Sequence, residues 1–478
     1  MAKGRDYDAE KVVGHLALIM GALALASALF GWFYRLAQQE RYATIVCLIL
    51  GLIVTETGLY ETIDVPVGLF HPSSGSVKFE TVDFIILVAL LASVWAGHGK
   101  YTLSKTSLLW GAFCAWVASE AVVGLLNGNP SSDIAYEAKI ILYLGLFVLA
   151  RRISLSDPRS RRAFAVLLYY SAVLAGLSVT LGAAGAKLSL NAPGLRGASL
   201  GNVGSIGANL FVALGILGLC LAICSERHRF PLLLVIGPLF VPPLMAQQRA
   251  ALVNLGVSLL VLVLLLPFAR HRLRATSAEL LLVVLAAAAL LALPVFVNGT
   301  VHSKRVIPFS HSLSKALTGG EKKLSAQDRV NQFHAARSLI AQRPVAGWGL
   351  GKTITYYEVG FRQFITTYLT HNIAIDLLLR TGVVGLLLFL LALAGSVGQG
   401  VGAWRNASDP LVAATALACV AILSGWFAHG MVESLFEHVQ LAPLFAIMLG
   451  LAQAAASRRP ELAEAVDPRL VPIAAAGA

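Results

Sequence analysis

His371 and Asn372 stand where a long polar stretch gives way to an apolar one, and histidine is the side chain that exchanges a proton near neutral pH. An ionisable group beside an intramembrane cavity is expensive to keep there, which makes His371 a candidate base. The same place also suits an interfacial or helix-capping residue. Two arginines fall at similar breaks. Arg249 follows Pro242-Pro243 and Met245-Ala246-Gln247-Gln248, and it opens an apolar run. Arg196 lies in Gly194-Leu195-Arg196-Gly197, with Lys187 before it and Ser199-Leu200-Gly201-Asn202 after it. A guanidinium fork matches a phosphate through two parallel hydrogen bonds, and it also snorkels to lipid phosphate. Two arginines and one histidine on a shared face make a diphosphate site with a base.

Other polar residues around His371 have more ordinary readings. Asp376 and Arg380 are four apart, so on a helix they pair and offset each other's burial. Gly347-Trp348-Gly349-Leu350-Gly351 places three glycines in five residues, which permits tight turns and close approach of backbone to a ligand. Upstream, Ser325 and Asp328 fit a capping box ahead of a helix from Arg329 to Gln342. Val330, Phe333, Arg337 and Ile340 follow a spacing that lays this helix on a protein or membrane surface. Pro344 ends it, because the residue before a proline avoids helical angles.

What must position these side chains is a set of membrane spans. Of 478 residues, 57% are hydrophobic and 13% charged, and the mean hydropathy is +0.75. Soluble domains lie nearer ~45–50% apolar and ~25% charged. That excludes a soluble enzyme, a nucleic-acid-binding domain and a disordered chain. Spanning helices need roughly 17–25 mainly apolar residues. Such runs fall at 12–32, 42–58, 82–97, 107–126, 135–150, 163–182, 206–224, 230–246, 250–268, 279–297, 372–395, 411–428 and 439–456. The expected fold is an all-α polytopic membrane protein with 12 or 13 transmembrane helices. It divides into N-terminal helices at 1–297, one large loop at 298–370 containing helix, and C-terminal helices with a tail at 371–478. Cys47, Cys114, Cys220, Cys224 and Cys419 all lie in apolar runs and read as buried thiols. Ala17 to Phe30 runs on as a span, without the pattern of a cleaved leader.

The net charge of +12 is uneven. Arg151, Arg152, Arg159, Arg161 and Arg162 share one linker, Arg227 and Arg229 another, and Arg270, Arg272 and Arg274 a third. Lys100, Lys105, Arg458 and Arg459 have the same parity. Short cytoplasmic loops are enriched in Lys and Arg, so this set reads as cytoplasmic and loop 298–370 as periplasmic. At the N-terminus the Arg35–Arg41 linker breaks the parity, and that end is left open. The long loop itself carries ten lysines and arginines against Glu321, Asp328 and Glu358. Two readings stand: a basic surface meeting anionic headgroups, or a docking surface for a phosphate-bearing substrate.

The block Asp328-Arg329, Arg343-Pro344-Val345-Ala346-Gly347-Trp348-Gly349-Leu350-Gly351, Thr370-His371-Asn372 and Leu379-Arg380-Thr381-Gly382-Val383-Val384-Gly385 resembles the signature region of the bacterial O-antigen ligase and polymerase superfamily. Its pattern is an arginine-led helix, P-x-x-G-x-G, H-N, then two glycines around two hydrophobic residues. Arg249 is similar to the arginine that opens an upstream span, although Gln248 stands where a serine is commoner. Arg196-Gly197 with Asn202 is similar to an earlier R-x-x-G…N element.

The resemblance implies transfer of a glycan from undecaprenyl diphosphate to an acceptor hydroxyl at the periplasmic face of the bacterial inner membrane. It implies no metal, nucleotide or other cofactor, and the loops read as periplasmic hold no D-x-D or H-E-x-x-H. By carry-over His371 is the base, Arg196 and Arg249 hold the diphosphate, and Arg329, Asn372, Gly347 and Gly349 support them. The expected partners are the lipid-linked donor, the acceptor and membrane lipids, with no nucleic acid. In ligases the acceptor is a lipid A-core sugar; in polymerases it is another lipid-linked repeat; in related enzymes it is a protein hydroxyl. The single dominant loop and the His371 context resemble the ligases of lipopolysaccharide biosynthesis. A lipid or solute transporter is the alternative from another class, but the chain shows no matching halves and its polar candidates gather at one face.

Overall fold

A backbone in lipid must satisfy its own polar groups, and long apolar runs do so as helices. The computed structural model describes Met20 and residues 24–63, 81–97, 104–183, 205–224, 229–245, 249–268, 321–359, 362–368, 370–433 and 441–457. A helical run over 24–38 is α1. It is followed by α2 (Tyr42–Ile63), α3 (Thr81–Trp95), α4 (Lys105–Leu126), α5 (Ser131–Ala150), α6 (Pro158–Ala183), α7 (Ser205–Cys224), α8 (Arg229–Met245) and α9 (Arg249–Leu265). Then come α10 (Glu321–Gln342), β1 (Ile354–Glu358), β2 (Gln363–Thr367), α11 (Ile373–Asn406), α12 (Pro410–Gly430) and α13 (Leu441–Ala456). Among the described residues, four stretches are long and apolar enough to cross a membrane: α4, α11, α12, and α9 with the turn that follows it. The chain is a helical membrane protein. Helices overlap each expected run from 42–58 to 250–268 and the last three. The run at 279–297 and most of 12–32 lie outside the described residues.

Two helices form the centre. Every residue from Leu411 to Leu423 of α12 and from Leu441 to Ala455 of α13 is buried. A helix apolar on all sides belongs inside. Polar side chains of α9 join it to α12 and to α7. Ser258 Oγ of α9 donates to Ala421 O at 3.1 Å, and Asn254 Nδ2 donates to Asn209 Oδ1 of α7 at 2.9 Å. Gly425 admits Asn254 and Ser258, since a Cβ there would collide with both.

The bundle has two chemically distinct ends. At one, Arg151 Nη1 donates to Ser107 Oγ at 3.0 Å, and that hydroxyl also bonds Gln453 near the end of α13. Arg161 pairs with Asp409 before α12 at 2.9 Å, and Arg152 reaches Tyr42 Oη. The arginine-rich segment 151–162 therefore lies with the start of α4 and the end of α13. The opposite end holds the turn between α4 and α5, the start of α11, the end of α12, α10 and the strands.

The all-α reading stands for the bundle, and the loop adds one hairpin to it: Ile354-Thr355-Tyr356-Tyr357-Glu358 pairs antiparallel with Gln363-Phe364-Ile365-Thr366-Thr367, Tyr357 opposite Phe364. These β-branched and aromatic residues favour a pleated, half-buried surface. Helix α10 begins at Glu321 rather than after a Ser325 cap, so Ser325 lies inside it. Asp328 turns to the hairpin instead, its carboxylate accepting from Val359 N at 2.6 Å. The buried face of α10 is Gln332 and Ala336, with Leu339 and Ile340 packed beside Ile354 and Leu379, while Val330 and Phe333 remain 45% and 43% exposed. The hairpin and α11 decide that face. The helix does end at Gln342, ahead of Pro344.

Candidate functional site

Helix α11 breaks at Gly382, which has φ 64° and ψ −170°. A break frees backbone donors and acceptors that must find partners when buried. The loop after α10 supplies them. Val383 N donates to Pro344 O at 2.9 Å and Val384 N to Val345 O at 3.4 Å; in return Trp348 N donates to Leu379 O at 2.9 Å and Gly349 N to Arg380 O at 3.0 Å. Trp116 Nε1 of α4 takes Thr381 O at 2.9 Å. The two glycine motifs are thus the two halves of one joint.

Gly347, Gly349 and Gly351 have φ of 77°, 82° and 74°, backbone that only glycine adopts easily. The close approach they permit is to the chain's own helices. A Cβ on Gly347 would strike Arg380 O, one on Gly349 the backbone of Gly124, and one on Gly351 the side chain of Ile134. Leu350 N donates to Glu120 O at 3.0 Å, and Asn127 and Asn129 donate to Trp348 O. The indole of Trp348 meets both Arg343 and Lys352, each cation 4.3 Å from its centre.

Below this joint Arg380 is buried between two carboxylates. Its Nε donates to Glu137 Oε1 of α5 at 2.6 Å, Nη1 to Asp376, and Nη2 to Tyr368 O. Glu137 Oε2 accepts from Gly351 N at 2.7 Å, and Asp376 Oδ1 accepts from Thr370 Oγ1 at 2.8 Å. The Asp376–Arg380 pair was expected; Glu137 was not. An acid inside the expected span 135–150 is the signal that could have pointed to it.

His371 is half-buried, and its backbone N donates to Gln332 Oε1 of α10 at 3.0 Å. Asn372 caps α11: Oδ1 accepts from Ala374 N at 2.9 Å and Ile375 N at 3.1 Å, and Nδ2 donates to Met431 O at 2.9 Å. The residues around His371 line a half-open cavity of about 300 Å³, among them Arg329, Gln332, Phe333, Thr370 and Met431. That is the small end of the range for ligand sites. A cation, a candidate base and apolar groups share its wall.

Arg249 is the first residue of α9. Ser258 meets Ala421 and Asn254 meets Gly425, so α9 and α12 run antiparallel. Continued roughly one and a half turns, this pairing brings the start of α9 level with Gly430, at the cavity end of the bundle. Arg196 lies outside the described residues. The roles of Gln332 and Thr370 in holding the histidine segment carry no sequence signal: Gln332 reaches across from α10, and Thr370 folds back onto Asp376 six positions on. Among the described residues no three His, Cys, Asp or Glu side chains gather as a metal site.

A bundle of apolar helices with a loop region clamped on one end, and a histidine and an arginine sharing a cavity there, defines a helical membrane protein with a candidate site at one end. Residues 234–390 match the family model described as O-antigen ligase, a stretch that runs from α8 through the joint and His371 into α11. This match supports the O-antigen ligase-like superfamily, whose enzymes are of the ligase type and use lipid-linked glycans in a membrane. No curated protein matches the chain.

Proposed function

We propose that this protein is a ligase that moves a polysaccharide (O-antigen) from undecaprenyl diphosphate to a sugar hydroxyl of lipid A-core at the periplasmic face of the bacterial inner membrane. The observation that carries the reading is the cavity bearing His371 and Arg329, at the end of the bundle opposite the arginine-rich segment 151–162. Positive linkers mark the cytoplasmic side, which makes the cavity end periplasmic. A midmembrane transport pathway would gather its polar groups nearer the bilayer centre.

In the proposed reaction Arg196 and Arg249 hold the diphosphate, and His371 takes the proton of the acceptor hydroxyl. The acceptor oxygen bonds the anomeric carbon as the carbon–oxygen bond to the diphosphate breaks. Undecaprenyl diphosphate leaves with the electron pair, and the centre inverts. A fixed donor aimed at developing charge contributes on the order of 3 kcal/mol, and a positioned base roughly 10²–10⁴-fold. The arginines carry the electrostatic part, so the chemistry is metal-independent. Arg329 stands on the cavity wall to assist binding, while Asn372, Gly347 and Gly349 hold the frame.

The test is reconstitution of the purified protein in liposomes with lipid-linked glycan, with and without lipid A-core. Wild type is expected to glycosylate lipid A-core. His371→Ala is expected to insert and bind donor yet form no product; wild-type turnover by that variant discards the base assignment. Glycan lengthening from donor alone would replace the ligase reading with a polymerase.

A further inference from the structure

The segment between β2 and α11 holds His371 in a run of only a few residues, and its neighbours lead to one buried side chain. Tyr368 O accepts from Arg380 Nη2. Thr370 Oγ1 donates to Asp376 Oδ1 at 2.8 Å, and Asp376 in turn is held by Arg380 Nη1. Arg380 is fixed against α5 through Glu137 at 2.6 Å, and Glu137 also grips Gly351 N at the glycine joint. The ring of Tyr368 meets that of Tyr136 on α5, with centroids 5.8 Å apart. The two tethered residues ahead of the histidine, Tyr368 and Thr370, are thereby referred to α5 through a single guanidinium.

A buried cluster of three charges is a weak way to add stability, since its desolvation cost rivals its attraction. Its rigid fork of donors is a good way to fix a backbone. On the reading of His371 as the base, we infer that Arg380, acting through Asp376 and Thr370, is a positioning residue that sets where the imidazole stands in the cavity. A displacement of about 1 Å at a reacting group costs on the order of 10²-fold in rate.

Thr370 gives the sharpest test because it is buried and its two functions separate. Thr370→Val keeps the volume and removes the hydroxyl; Thr370→Ser keeps the hydroxyl and leaves a methyl-sized gap. Positioning predicts that Val lowers kcat roughly 10–100-fold with donor KM within about twofold, and that Ser retains most of the rate. A packing role predicts the reverse order. Arg380→Lys, which keeps the charge without the fork, should fall with Val. The second readout does not depend on glycan chemistry: carbethoxylation of His371 by diethyl pyrocarbonate in the unliganded protein, followed by mass spectrometry. Its rate should change in Val and stay at the wild-type value in Ser. Wild-type kcat in Val, equal losses in Val and Ser, or identical labelling in all three proteins would overturn the inference. If His371→Ala turns over normally, the base assignment falls, and the labelling still decides whether the tether sets the histidine.

Discussion

Gly349 and Gly124 meet backbone to backbone: a Cβ on Gly349 would overlap the main chain of Gly124, and one on Gly124 would overlap Leu350. Here the loop domain closes onto α4 with nothing between the two chains. The contact also aligns Leu350 N with Glu120 O and Trp348 O with Asn127 Nδ2.

Gly124→Ala therefore has to push the loop away, although alanine suits the helix better than glycine. Overpacking at a rigid contact costs about 1–3 kcal/mol, more than the propensity gain of roughly 1 kcal/mol. The expected outcome is a lower melting temperature in detergent and faster proteolysis of the segment 321–368. An unchanged protease pattern would mean that the joint yields without opening.

Asn372 has two separable tasks. Asn372→Ala removes the cap of α11 and the tie to Met431 together, while Asn372→Asp keeps the cap and loses only the Nδ2 donor. Cap loss costs about 1 kcal/mol. Thermal unfolding is expected to rank wild type above Asp and Asp above Ala. Equal melting of Asp and Ala would mean that the tie to Met431, rather than the cap, holds the helix start.

Much of this architecture is legible in the chain. Apolar runs mark the helices because lipid leaves the backbone no other partner, and Pro344 marks the end of α10. The spacing of Asp376 and Arg380 announces their pair, because one helix turn brings them together. Glu137 could not be read the same way: its partner lies 243 positions away, and only the packing of α5 on α11 joins them. The start of α10 differs from the capping-box expectation because a Ser-x-x-Asp pattern also occurs inside helices, where the aspartate is free to bond elsewhere. The hairpin carried a signal in its alternating Ile, Thr, Tyr and Phe residues, overshadowed by the glycine-rich turn before it. The cavity itself was out of reach, since its wall comes from α10, the segment before α11 and the end of α12.

Asp83 and Lys139 form a buried ion pair at 2.6 Å, with Tyr143 Oη donating to the other carboxylate oxygen at 2.5 Å. Removing one charge leaves the other stranded. Lys139→Met should cost about 3–5 kcal/mol, whereas the double variant Asp83→Leu with Lys139→Met should recover most of it. Folded yield and melting temperature in detergent measure both. A double variant no better than the single one would show that Tyr143, and Tyr136, whose ring centre lies 5.4 Å from Lys139 Nζ, depend on the charges for their own placement.

Arg249 distinguishes a phosphate-binding site from a lipid anchor. As the first residue of α9 it stands at the cavity end of the bundle, where either role is open to a cation. Arg249→Lys keeps the charge and most of the reach, so an electrostatic anchor to headgroups would survive it. A bidentate grip on a diphosphate would not, because an ammonium is a point charge without the planar fork. Turnover in proteoliposomes is expected to drop roughly 10–100-fold, equivalent to about 1.4–2.7 kcal/mol of transition-state stabilisation. The loss should sit mainly in kcat if the fork tightens on charge that develops as the diphosphate departs, and mainly in KM if it holds donor and transition state equally. Wild-type turnover in the lysine variant would assign the residue to the membrane surface.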